Sequence, residues 1–325
     1  MNPAKEIFNL HLSKVETLIN ESKNQQNPAL WLFDNGLRTP MFMLEATARV
    51  YEKVYDSKDL EKRKEQIKTI EDVIGAVDYY NAYAKELALN ANVKPEIITY
   101  LNQQTEIKLV ELNKILEEEN WLNGKKIEKI KETLSEIDWL SESDEFVEIS
   151  KFYAKSITKI DEFIKITTFN FDHLEDDVHE LRRRLRWLSI YPQALSGVFQ
   201  YSKSDEKPDS HLNKYLTQEI LNSKFNIMPT TLSFDKPIQI NKNYFCTLSW
   251  IIAELGKLKD EGLRVLVLKE AIENSDDSNQ EINETEVYKI LNQKQKTLDE
   301  LLNEAEKIVK TFFVEKNLNS ILVKL

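Results

Sequence analysis

At 325 residues, with 41% hydrophobic and 10% aromatic side chains, the chain is long enough to bury a sizeable core and is not disordered as a whole. Its formal net charge of -11 argues against general nucleic-acid affinity, which depends on many Lys and Arg releasing counterions together, so any polyanion must meet a local basic patch. A charged fraction of 30% with only 6 Gly and 8 Pro points to an all-α fold, because Glu, Lys and Leu propagate helix while Gly and Pro interrupt it.

The first stretch, MNPAKEIFNLHLSKVETLIN, carries charges where a secretion signal has an apolar core. No later segment approaches the roughly 18 consecutive apolar residues of a membrane helix. The expectation is a cytoplasmic, soluble protein with neither membrane nor nucleic acid as partner. Apolar residues recurring every three or four positions predict helices over 3–24, 40–56, 58–90, 95–119, 122–138, 143–167, 172–195, 209–224, 241–275 and 283–316, with a short helical turn near 28–34. Thr39 and Pro40 read as a cap and first-turn pair, since Pro lacks only an amide hydrogen that would be unpaired there. Asp172 with Glu175 resembles a capping box, and Pro192 is expected to kink or stop the helix it begins. The segment 198–241 gathers Pro, Ser, Asp and Asn and reads as a long connection holding one helix, while 274–285 reads as an acidic loop. Cys246 is the chain's single cysteine, so no internal disulfide can form, and its apolar neighbours in NYFCTLSW suggest a buried, inert thiol.

Two glycines fall inside helical pattern, Gly75 in IKTIEDVIGAVDYYNAYAKEL and Gly256 in LSWIIAELGKLKDEGLRVLVLKEA. A mid-helix Gly costs about 1 kcal/mol relative to Ala, which close approach by a neighbour would explain. Each follows an arginine-bearing helix and precedes an acid, Asp78 or Asp260. Aligned on them, 3–24 pairs with 143–167, 40–56 with 172–195, 58–90 with 241–275, and 95–119 with 283–316. The chain thus reads as two four-helix units in tandem, over 1–140 and 141–325, joined by the helix near 122–138.

Half of the arginines lie in VHELRRRLRW, residues 178–187. At about 100° per residue, Leu174, Val178, Leu181, Leu185 and Leu188 share one side of that helix and His179, Arg182, Arg183 and Arg186 the other. Arg184 can pair with Glu180 one turn back, but no acid at four-residue spacing neutralises Arg182, Arg183 or Arg186. The ordinary reading of such a face is a solvated surface with weak ion pairs. Arginine in a lysine-rich chain instead suits bidentate contact with phosphate or carboxylate oxygens.

VHELRRRLRW followed by ELGKLKD resembles the CHAD family, α-helical domains named for a histidine followed at helical spacing by basic residues, then a helix with Leu-Gly and a nearby Asp, all occurring twice. His179 stands where that family carries its histidine, with Arg182 and Arg186 at the following basic positions. The first repeat departs from the pattern: FDNGLRTPMFMLEATARVY supplies Arg38 and Arg49 but no histidine, and Pro40, Met41 and Phe42 stand where members tend to be basic. DVIGAVD keeps Gly and Asp without the arginine that often precedes the Asp. The resemblance implies a basic channel between the two units and non-catalytic binding of inorganic polyphosphate. Arg38, Arg49 and Lys53, or Lys257 and Lys259 beside Gly256, would supply supporting cations, and a protonated His179 a further donor.

Other readings remain in view. HLEDDVH packs His173, Glu175, Asp176, Asp177 and His179 together, but a di-iron bundle needs a partner motif the chain lacks, and an acidic first turn suits the helix dipole. One Cys, four His and the absence of a nucleophile elbow or phosphate-cradling glycine loop leave no catalytic constellation, and no cofactor is expected. Tyr79, Tyr80 and Tyr83 read as packing residues. The main alternative is a scaffold with a protein partner that has lost the full anion channel. A cleft holding His179, Arg182 and Arg186 opposite Arg38 or Arg49 favours anion binding; salt bridges from Asp78 or Asp260 that consume those side chains weaken it and would hold the two units together instead.

Overall fold

Asn and Pro begin the first two helices. Asn2 accepts from the Lys5 amide at 3.1 Å ahead of α1 (Pro3–Ser22), and Asn27 accepts from the Leu30 amide at 3.1 Å ahead of α2 (Pro28–Asp34). These are caps that satisfy amides with no intrahelical partner. The computed structural model describes residues 2–202, 208–275, 282, 284–291 and 296–323. Next come α3 (Arg38–Val54), α4 (Lys58–Leu87), capped by Ser57, α5 (Pro95–Glu118), α6 (Lys125–Glu136) and α7 (Glu142–Thr167), capped by Ser141. α3 starts two residues before Pro40, so Thr39 is not its cap; Leu37 already has helical dihedrals and hands the chain on from the turn at Gly36, φ +75°.

The arginine helix enters through a π-helical turn, Leu174–His179, that runs into α8 (Glu180–Ala194). The expected capping box does not form. Asp177 instead reaches back to accept from the amides of Asp172 and His173, each at 2.8 Å, and Glu175 turns to His179. Pro192 does not stop α8, which runs two residues further to Ala194. Proline cannot donate to the Leu188 carbonyl four residues back. The buried Tyr153 hydroxyl donates to that carbonyl at 3.0 Å, and buried His11 Nε2 meets the Ala194 carbonyl at 2.7 Å. Two neighbouring helices thereby satisfy the end of a third.

The connection after α8 holds a short parallel strand pair, β1 (Phe199–Tyr201) with β2 (Ile238–Ile240), in register Phe199 to Ile238. The helix expected over 209–224 is instead a 3-10 turn Ser210–Lys214, the single turn α9 (Gln218–Leu221) and a 3-10 turn Lys224–Asn226. Thr217 and Ser223 each cap a new start, and such local side-chain bonds compete with continuing one helix. α10 (Lys242–Ser275) is the longest element described. The helix expected over 283–316 divides into α11 (Glu284–Leu291) and α12 (Leu298–Val314), because Thr297 and Glu300 close a capping box at the second start.

α3 packs against α1, α4, α7 and α8, and α10 packs against α5, α8, α11 and α12. α8 therefore lies between α3 and α10. Along the chain, α1 meets α3, α3 meets α4 and α4 meets α5; later, α7 meets α8, α8 meets α10 and α10 meets α12. Leu174, Val178, Leu181, Leu185 and Leu188 are all buried, as the apolar stripe predicts. Tyrosines fasten the two halves: the Tyr80 and Tyr100 hydroxyls each donate to Glu270 Oε1 at 3.0 Å, and Tyr83 donates to the Asp260 carbonyl at 3.3 Å. Cys246 is fully buried, and burial pushes its thiol up to about 11. Among the described residues no helix is long and apolar enough to cross a membrane.

Candidate functional site

The polar face of α8 meets α3 and α4 around a cleft of about 110 Å³ lined by Arg38, Phe42, Glu45, Arg49, Lys68, Glu71, Asp72, His179, Arg182, Arg183, Arg186, Trp187 and Ile190. Six of the nine cationic or titratable residues marked by sequence thus converge: His179, Arg182, Arg183 and Arg186 from one side, Arg38 and Arg49 from the other. Two roomier hollows, about 330 Å³ beside the start of α5 and about 220 Å³ between α2, α4 and α5, have mixed polar linings without such a cluster.

The glycines explain how two of these arginines reach the cleft. A Cβ on Gly75 would come within 3.1 Å of the Arg38 guanidinium, and one on Gly256 within 3.1 Å of Arg182 Nε. Each glycine is a seat on which the arginine of the preceding long helix lies, a close approach that any side chain would obstruct. Arg182 is further held by donating from Nε to the Ile252 carbonyl at 3.2 Å. The third helical glycine, Gly262, serves packing: a Cβ there would overlap the Leu174 side chain.

Carboxylates occupy much of the cationic wall. Arg38 bonds to Glu71 at 3.1 Å and also pairs with Asp78; Arg49 bonds to buried Glu45 at 2.7 Å; Lys68 pairs with Asp72. Arg183 is neutralised as well, contrary to the sequence expectation, because Glu180 three residues back reaches it at 2.7 Å while also holding Arg184 at 2.7 Å. His179 Nδ1 lies 2.7 Å from Glu175, whose carboxyl this bond holds below its usual range. Burial pushes the Glu45 carboxyl up despite Arg49.

Arg182 and Arg186 have no carboxylate partner within salt-bridge distance among the described residues. Arg182 feels Asp260 only at longer range, with burial as the main cause that lowers its pKa. Arg186 is open to the cleft yet ringed by protein. Withdrawal from water, then repulsion by Arg182 and Arg38, lowers its pKa, with Glu71 opposing. Two guanidiniums close enough to repel a third, Arg186, are an arrangement that an anion would relieve. Aromatic rings support two of the cleft's guanidiniums: Arg186 lies 4.8 Å over Phe42, Phe42 lies 5.0 Å from Trp187, and Arg49 lies 4.3 Å over Trp187.

Lys53, Lys257 and Lys259 do not line the cleft. Lys53 pairs with Glu52 at 3.2 Å, Lys257 with Glu254 at 2.7 Å and Lys259 with Asp260 at 2.9 Å, so their expected supporting role has no counterpart in the cleft wall. The residues that sequence reasoning missed are Lys68, Glu45, Glu71 and Asp72. Lys68 with Asp72 is legible as an i,i+4 pair, but nothing in one sequence says that α4 turns this face towards α8. Among the described residues no group of three or more His, Cys, Asp or Glu is placed to hold a metal ion. Compared with family models, curated proteins and solved structures, the chain matches none of them.

Proposed function

We propose that the chain is a diverged member of the CHAD family, built of tandem four-helix units over 1–140 and 141–325. In this reading it binds inorganic polyphosphate or another phosphate-rich anion without catalysing its conversion. The observation that carries the ligand is the Arg182 and Arg186 pair: one helical turn apart, facing Arg38 across the cleft, Arg182 half-buried and Arg186 open to it, and neither with a carboxylate partner within salt-bridge distance among the described residues. Guanidiniums already held, Arg186 by the Phe42 ring and Arg182 by a glycine seat and a carbonyl bond, lose little freedom on meeting an anion. Two likenesses support the repeat. Arg38 lies on Gly75 as Arg182 lies on Gly256, and the packing order α1, α3, α4, α5 has its counterpart in α7, α8, α10, α12.

A scaffold with a protein partner is the second reading, favoured by the acids that engage Arg38, Arg49 and Arg183. Calorimetric titration with long-chain polyphosphate at low salt separates the two. Binding to the wild type, lost in the Arg182→Ala, Arg186→Ala double variant and falling steeply with salt, supports the anion reading. Binding that survives in the double variant moves the ligand off this cleft. No binding at low salt leaves the scaffold.

A further inference from the structure

The anion reading leaves open which part of a phosphate ligand the cleft takes, and the arrangement of charges in its wall bears on this. Of the cations in its wall, Arg38, Arg49, Lys68 and Arg183 are each engaged by a carboxylate. Among the described residues, what remains without a carboxylate is Arg182, whose Nε alone is taken by a carbonyl, and Arg186. A run of internal phosphates carries one negative charge per unit and needs a row of unpaired cations along its length. This cleft has a pair one turn apart, and a chain continuing past them would run its charges alongside Glu45, Glu71 and Asp72.

Resting on the anion reading, we infer that the cleft takes a single terminal phosphoryl group, held by Arg182 and Arg186 with the rest of the ligand directed to solvent. A terminal phosphoryl carries close to two charges near neutral pH and three free oxygens, matching two forked guanidiniums on one wall; an internal phosphate offers one charge and two free oxygens. The same chemistry is found at the end of a polyphosphate, in pyrophosphate and in orthophosphate. Flanking acids would then set specificity, admitting an end and repelling a chain.

The test is calorimetric titration of the full chain, at low salt and pH 8, with orthophosphate, pyrophosphate and long-chain polyphosphate of known chain concentration, the last also with its ends esterified. The expected results are equal affinity per chain end, within about threefold, for pyrophosphate and long chains. Saturation should fall at two proteins per long chain whatever its length, with at least a tenfold loss on esterification. Arg186→Lys, which keeps the charge but loses the fork, should weaken all binding forms by a common factor. Affinity or protein load that rises with chain length, or indifference to esterified ends, overturns the terminal-group inference while leaving anion binding standing. Failure of every phosphate species to bind removes both.

Discussion

Glu145 offers a test of how the first half of the chain is joined to α7. Its carboxyl is fully buried in the first turn of α7, accepts from the Tyr51 hydroxyl at 2.6 Å and more weakly from Tyr55 at 3.4 Å, and has no cationic partner among the described residues. Burial pushes it from the ordinary 4.5 up to about 7, against the lowering effect of the tyrosine hydroxyls. Because the folded pKa is the higher one, the contribution is whole below pH 4.5 and is lost as pH rises through 7. At about 1.4 kcal/mol per decade the full interval is worth about 3 kcal/mol, of which about 2.5 kcal/mol falls between pH 5 and pH 8. Glu145→Gln keeps an acceptor for Tyr51 and cannot ionise. Urea unfolding of wild type and variant at pH 5 and pH 8 should therefore show the variant gaining about 2.5 kcal/mol on the wild type between the two conditions. A gap that stays constant across that range refutes the reasoning, since it would mean that the carboxylate ionises in the folded state as easily as in the unfolded chain.

His11 should act on the opposite limb: burial lowers it from 6.5 to about 4, so its contribution is whole above 6.5 and lost as pH falls through 4. His11→Gln, which keeps a donor for the Ala194 carbonyl, should lose about 3 kcal/mol less than the wild type between pH 7 and pH 4 in the same unfolding assay. The glycines separate seat from packing. Gly256→Ala gains about 1 kcal/mol of helix propensity while displacing Arg182 by a few tenths of an ångström, so thermal unfolding should change little while phosphate affinity falls about tenfold. Gly262→Ala forces Leu174 aside and should cost about 1 to 3 kcal/mol of stability, with affinity retained.

Periodicity was enough to place nearly every long helix, and the α8 stripe was legible residue by residue, because burial on one face leaves a 3.6-residue mark in sequence. It misled where a local bond decided the outcome. The division at Thr297 was written as a Thr-Leu-Asp-Glu capping signal and overlooked, whereas the survival of α8 through Pro192 depends on a hydroxyl from Tyr153, far away in the chain.

The cations of the cleft divide in the same way. From its own sequence alone, the chain determines that Arg182 and Arg186 share a polar helix face and that Gly75 and Gly256 interrupt helices at matching places, since these are properties of residue type and spacing. Arg49 and Arg183 are engaged by acids within one turn of their own helices, whereas the pairing of Arg38 is a tertiary decision. Glu71 and Asp78 are 33 and 40 positions from Arg38, and they reach it only because α4 folds back along α3. Sequence spacing reports neighbours within a helix, but the electrostatic balance of a cleft depends also on which faces of different helices are brought together, and packing sets that.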